Sequence, residues 1–454
     1  MKKNNICTAI LGATLLTFLS ITGTAMAAKL ELIQELGKFI FFDNISVPKR
    51  MSCSTCHDPM AGWTFKNSGV NLHQVAVTGA DPHTAGSLKP PSNAYASFIL
   101  PFQNCGAAPT GWCGGNFWNG RAEGNDLIQF PGGATEHIGL NDPIFVGGGN
   151  VFDEYKQYLG PVADQALNPF GNPVEQNIER EGVCRHVASA KYAELFEIVW
   201  GEPINCSNGG EIDKSFKRIA VSLAAYQASD EVNSFSSKRD IVLRNEADGK
   251  FPLGGFTEQE NRGHDLFYAT FFRPLPDGKF ANCALCHNDN PANDGTEPKQ
   301  LYADDSYHNI GTPRNFELPG SPEPNKGLAG HTGDPAHTGE FKTPTLRNVD
   351  KRPGVGFTKA YTHNGWFKSL ESIVHFYNTA AVKVRCPEDV TTEKEALAQN
   401  CWPAPEHPST VPPAFIIGNL RLTPEDEAAI VAYLKTFTDT ETPKQPKPYK
   451  SAKK

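Results

Sequence analysis

The chain has 454 residues, 39% of them hydrophobic, and a formal charge of −8 at pH 7. This length admits two or three domains of about 150 residues each, and the mildly acidic balance argues against nucleic acid as a partner. Past the N-terminus no stretch approaches the ~20 apolar residues that a membrane-spanning helix needs.

Lys2 and Lys3, an apolar run from Ile6 to about Ile21, and Ala25-Met26-Ala27 follow the order of a secretory signal peptide. The mature chain is expected to begin near Ala28, in an exported compartment and most simply a bacterial periplasm. Cys7 leaves with this segment, and the charge of the remainder becomes −10.

Leu32, Ile33, Leu36, Phe39 and Ile40 repeat on one face, so residues 30–42 are expected as a helix. It delivers the chain to Cys53-Ser-Thr-Cys56-His57, the attachment signature of c-type haem. Two thiols add to the two vinyl groups of a porphyrin edge, and the adjacent imidazole turns under the ring to ligate iron. Half of a zinc site is the competing reading of Cys-x-x-Cys. It weakens at Cys283-Ala-Leu-Cys286-His287, where the unit returns complete with its His. Two covalent c-type haems are therefore expected.

Between the motifs, residues 63–96 read as a loop over the haem edge and contain His73. Phe117–Ala122 and the segment 164–176 follow, and a helix at 212–228 is expected to close the first domain. Residues 251–255 form a linker, and Thr257-Glu-Gln-Glu260 is a capping box that opens the next helix. After a Pro-, Gly-, Asp- and His-rich excursion at 288–340, a short helix is expected at 369–377. A last helix starts with Thr423 as N-cap and Pro424 in its first turn, and ends near Phe437. The remaining cysteines neighbour each other as Cys105 with Cys113, Cys184 with Cys206 and Cys386 with Cys401. Local disulfides are the most economical of several connectivities.

The expected fold is mainly α: two tandem cytochrome c-like domains with long loop insertions. Residues 1–27 are expected as the signal peptide, 28–245 as the N-terminal cytochrome c-like domain, 246–440 as the C-terminal one, and 441–454 as a basic disordered tail.

Four further segments carry a resemblance. Phe117-Trp-Asn-Gly-Arg-Ala122, Asn172-Pro-Val-Glu175 with Gln165 ten residues before it, Phe341-Lys-Thr-Pro-Thr-Leu-Arg-Asn348, and Thr358-Lys-Ala-Tyr-Thr-His-Asn-Gly365 follow in this order. With the two haem motifs, the chain resembles the bacterial dihaem cytochrome c peroxidases and their relative MauG over nearly all of its mature length. The resemblance implies that the N-terminal haem reacts with peroxide and the C-terminal haem transfers electrons, with His57 and His287 as proximal ligands and Glu175 as the acid–base that moves the peroxide proton. It also implies Gln165 as an orienting group, Trp118 as the electron bridge between haems, and His73 as a cap on the resting N-terminal haem. An interdomain calcium is implied through the carbonyls of Thr358 and Ala360. The side-chain ligand position falls on Lys89, a cation that opposes it, and Asn93 could substitute after a loop shift.

The ligand of the second haem separates two functions. The ordinary peroxidase uses a Met there, and the four methionines here are Met1, Met26, Met51 and Met60, none in the C-terminal half. Leu370, Ile373, Val374 and Tyr377 recur on one helical face, and Tyr377 lies at the offset of the axial Tyr in MauG. The expectation is a His287–Tyr377 pair; a core Tyr, with the iron left open or bound by a His such as His363, is the plainer alternative. A MauG-like oxidation of a partner protein is slightly favoured over reduction of hydrogen peroxide with electrons from a small cytochrome or copper protein. Against the MauG branch, Ala281 stands where MauG has a surface Trp. A dihaem electron carrier is disfavoured, because it has no use for Glu175 and Gln165.

Overall fold

In a computed structural model of the chain, residues 30–106, 111–146, 153–246, 248–288, 294–319 and 323–451 are described. The signal peptide expected at 1–27 lies outside them. Among the described residues no helix is long and apolar enough to cross a membrane.

The fold is mainly α. Helices α1 (Leu32–Phe42), α2 (Cys53–Cys56) and α3 (Ser68–Leu72) precede α4 (Pro161–Gly171), α5 (Arg180–Ser189), α6 (Ala193–Trp200) and α7 (Gly209–Gln227). Then come α8 (Lys238–Asn245), α9 (Glu258–Tyr268), α10 (Leu328–Thr332), α11 (Leu370–Thr379), α12 (Glu393–Gln399) and α13 (Pro424–Lys435). Two-stranded antiparallel ribbons punctuate the loops: β1 (Gln103–Asn104) on β2 (Trp112–Cys113), and β3 (Tyr307–His308) on β4 (Phe341–Lys342), with Tyr307 opposite Lys342.

The same packing device recurs in each half. Helix α1 crosses α7 at Gly37, where a Cβ would lie 1.9 Å from the Ser222 carbonyl oxygen and 2.9 Å from the Tyr226 Cβ. Helix α9 crosses α13 at Gly263, where a Cβ would lie 2.0 Å from the Ala429 carbonyl oxygen and 2.8 Å from the Tyr433 Cβ. Only glycine lets the backbones approach this closely. One apolar core, from Ile33 to Phe235, surrounds the first crossing and a second, from Leu243 to Phe437, surrounds the other.

Local signals explain the element ends. Thr257 and Thr423 each accept the N–H three residues on, at 3.1 and 3.2 Å, and Pro424 needs no donor in the first turn. Ser369 caps the start of α11 by accepting Ser372 N–H at 3.0 Å, and the helix ends at Thr379, two residues beyond the expected Tyr377. The disulfides are Cys105–Cys113, Cys184–Cys206 and Cys386–Cys401. Residues 441–451 form no helix or strand, and Tyr449 packs edge-on against Phe39 with ring centroids 5.8 Å apart.

Candidate active site

Each Cys-x-x-Cys-His unit lines its own cavity. Cys53, Cys56 and His57 line one and Cys283, Cys286 and His287 the other, with about 1530 and 1670 Å³ of unfilled space, part of it open to solvent. These four are the cysteines outside disulfides among the described residues. Burial pushes the Cys53 and Cys283 thiols up to about 12.

The two histidines are held alike. His57 Nδ1 donates to the Trp63 carbonyl at 3.2 Å and His287 Nδ1 to the Tyr302 carbonyl at 2.9 Å. This fixes each tautomer and leaves Nε2 as the nitrogen with a lone pair. Burial keeps both imidazoles neutral, His57 down to about 4 against the opposing pull of its backbone partners. Neutral histidine is the ligating form, so the donor set and the cavities fit two c-type haems.

The first cavity is polar on the side formed by α4 and the turn after it. Pro161 starts α4, which places Gln165 on the cavity wall, and the chain then turns so that the Glu175 N–H meets the Asn172 carbonyl at 3.0 Å. Glu175 Oε1 accepts from Asn172 Nδ2 at 2.8 Å. Burial raises the Glu175 carboxyl above its ordinary value, while the Arg121 guanidinium and Asn172 oppose the rise. Arg121 lines the same cavity and stacks over the Phe117 ring at 3.6 Å. The sequence reading assigns Arg121 no role, although it belongs to the Phe117–Ala122 segment.

The second cavity is apolar. Leu370, Ile373, Val374 and Tyr377 of α11 all line it, with Ile416 and Ile417 across from the Cys pair's own loop. The Tyr377 hydroxyl has no hydrogen-bond partner among the described residues, and burial raises its proton affinity. His375 faces elsewhere, toward Glu427 at 3.0 Å. His363 lines the cavity but its Nε2 is held by Glu406, with Phe341 stacked on the ring at 3.4 Å. His308, which no motif marks, also lines this cavity and bonds Asp304 at 2.8 Å; against the effect of burial, Asp304 and Cys286 push it up to about 10.

Trp118 and Lys89 line both cavities. Trp118 is 8% exposed, and its Nε1 donates to the Lys89 carbonyl at 2.7 Å. Lys89 is half-buried, and the loss of solvent lowers its ammonium to about 8. His73 is not brought to either cavity: its side chain is 61% exposed and bonds Glu317 at 2.8 Å. At the implied calcium position, the Thr358 carbonyl already accepts from Asn71 Nδ2 at 3.0 Å. Ala360 is buried, and the Lys359 side chain between them donates to backbone carbonyls. Asn93 lines the first cavity. Two ammoniums and an already bonded carbonyl do not suit a divalent cation.

Residues 32–248 match the di-haem cytochrome c peroxidase family. The methylamine utilization protein MauG of Paracoccus denitrificans is 29% identical over 439 residues, covering 94% of each chain. Cytochrome c551 peroxidase of Nitrosomonas europaea is 23% identical, covering 75% of this chain and 71% of its own. The fold is similar to the diheme peroxidase BthA of Burkholderia thailandensis, at TM-score 0.63 and 23% identity, covering 94% of this chain and 92% of that one. It is also similar to a MauG-like protein associated with microbial copper homeostasis, at TM-score 0.57 and 23% identity over 91% of both chains. Each cavity presents a haem attachment unit, the family match covers the N-terminal segment that builds the first of them, and the likeness to MauG runs through both; the chain is an oxidoreductase similar to the di-haem cytochrome c peroxidases and MauG.

Proposed function

We propose that this protein is an exported, periplasmic dihaem enzyme that reacts with hydrogen peroxide in the first cavity and draws the two electrons through the second from a partner protein. When bound, the two haems supply the redox chemistry. The observation that carries the reading is the division of labour between cavities: a buried carboxyl with an amide and a guanidinium in one, a tyrosine hydroxyl in apolar surroundings in the other.

Glu175 takes a proton from the peroxide oxygen that stays and returns it to the oxygen that leaves as water. The Arg121 charge keeps part of the carboxylate ionised against burial, and the Gln165 amide orients the incoming peroxide. Two electrons and two further protons complete the conversion to a second water. Trp118, which borders both cavities, carries the electrons between them.

The electron source divides the readings. Tyr377 in place of a methionine favours a MauG-like role, in which the source is an oxidisable side chain on the partner: an anionic oxygen donor stabilises oxidised iron, where a thioether favours the reduced form. Reduction of peroxide with electrons from a small cytochrome or copper protein is the second reading, favoured by Ala281 at the place of MauG's surface Trp. Stopped-flow mixing of the oxidised and half-reduced protein with one equivalent of peroxide tests the proposal. Reaction of the fully oxidised form is expected for the MauG-like role, and reaction only after half-reduction for the peroxidase. A haem spectrum indifferent to peroxide in both forms would overturn both.

A further inference from the structure

Lys359 is 4% exposed, and its ammonium donates to three backbone carbonyls: Ala61 at 2.8 Å, Asn348 at 3.0 Å and Lys351 at 3.0 Å. Ala61 follows the first haem motif by four residues, whereas Asn348 and Lys351 belong to the C-terminal half. One cation thus gathers oxygens from both halves at the edge of the second cavity, which Gly62, Lys359 and Asn348 all line.

The surroundings are built for an ammonium. Gly62 has φ +70, and a Cβ there would lie 2.9 Å from the Lys359 Nζ and 2.8 Å from the Asn348 carbonyl oxygen, so only glycine admits the approach. The neighbouring Thr358 is tied to the N-terminal half through both backbone groups: its carbonyl accepts from Asn71 Nδ2 at 3.0 Å and its N–H donates to Ser68 Oγ at 3.1 Å. Lys368 repeats the device nearby, donating to the Asn71 carbonyl at 2.8 Å and the Gly365 carbonyl at 2.6 Å. Among the described residues no carboxylate hydrogen-bonds the Lys359 ammonium. Calcium takes about 6–8 oxygens, usually with carboxylates among them. Here the converging oxygens are occupied by N–H donors; burial, with the half-buried Lys89 close by, lowers the proton affinity of Lys359, and the three carbonyls are what hold its ammonium.

We infer that the Lys359 ammonium fills the structural place of a divalent cation at this junction, so that the enzyme holds its two haem cavities in fixed relation without bound calcium. A lysine tethered in the chain cannot be removed by a chelator, and it places one charge where a metal would place two. The inference stands apart from the choice of electron source, because it concerns only the junction.

The experiment uses the purified dihaem protein before and after dialysis against EGTA, and after calcium is added back. Metal analysis is expected to find well under one calcium per chain. The unfolding midpoint and the low-temperature spectra of both haems are expected to stay the same in all three states. Lys359→Met keeps the length and removes the charge, stranding three buried carbonyls. Its midpoint is expected to fall by roughly 5 °C or more. One calcium per chain, with a midpoint or haem spectrum that moves on EGTA, would overturn the inference. So would a Lys359→Met midpoint equal to that of the parent. If that variant does not fold, the chelation measurements on the parent protein decide alone.

Discussion

Tyr377→Phe tests the second cavity with little disturbance of the fold. The substitution removes one oxygen from a side chain that lines the cavity with Leu370, Ile373 and Val374. That oxygen has no hydrogen-bond partner among the described residues. A hydroxyl that makes no hydrogen bond adds little to the fold, so a half-buried Tyr that merely packs here would be close to neutral as Phe. A Tyr that ligates the C-terminal haem iron behaves oppositely, because the bond that offsets its burial is lost. The anionic oxygen donor holds the oxidised form, and losing a tenfold preference for that form raises the potential of this haem by about 59 mV. The assay is a spectroelectrochemical titration of parent and variant with electron paramagnetic resonance on the oxidised states. The C-terminal haem is expected to change in spectrum and rise in potential by that amount or more, with the N-terminal haem unaltered. An unchanged spectrum and potential, or a sulfur-to-iron charge-transfer band in the parent, would refute the assignment and leave the peroxidase reading ahead.

Cys53→Ser/Cys56→Ser and Cys283→Ser/Cys286→Ser are each expected to leave one covalent haem, read from the mass of the intact chain; no added mass in the parent would end the dihaem assignment. Glu175→Gln keeps an acceptor for Asn172 and is expected to lose about 10²–10⁴-fold in peroxide turnover with both haems retained; turnover within a factor of two would remove Glu175 from the reaction. Burial raises the Glu175 carboxyl above its ordinary 4.5. As pH falls the base is therefore protonated early, and the acid limb of the parent's rate profile is expected above pH 4.5 and absent from the variant's residual activity. Trp118→Phe deletes the hydrogen bond to the Lys89 carbonyl, worth about 0.5–1.5 kcal/mol, and is expected to slow electron sharing between the haems after one-electron reduction; an unchanged rate would make Trp118 packing alone.

Legibility from sequence followed how local the cause was. The haem units are readable because covalent attachment fixes two thiols and an imidazole within five positions. The caps at Thr257 and Thr423 are readable because the bond spans three residues. Helix α4 escapes the periodicity, since Pro161 and Pro169 interrupt the pattern and Gly171 ends it, yet it places Gln165 and leads to Glu175. His73 shows the limit of counting: an offset from His57 says nothing of where the side chain points, and here it meets Glu317 across 244 positions. Lys359 was beyond reach for the same reason, its three carbonyl partners lying at 61, 348 and 351.

The glycine crossings explain why one scaffold can serve two chemistries. Gly37 of α1 against α7 and Gly263 of α9 against α13 set the same close approach in both halves, and each histidine is oriented by a backbone carbonyl beyond its motif. The proximal side of each cavity is therefore specified by backbone, which tolerates little change. The rest of each wall comes from unlike elements: α4 and its following turn supply Gln165 and Glu175 to the first cavity, whereas α11 supplies an apolar face and Tyr377 to the second. Both elements also feed the cores, α4 with Leu167 and Phe170 and α11 with Phe376, so only their cavity-facing side chains can vary without loosening the fold. Reactivity toward peroxide and the affinity for oxidised iron are then set independently, and the shared wall at Trp118 is where the two must be matched.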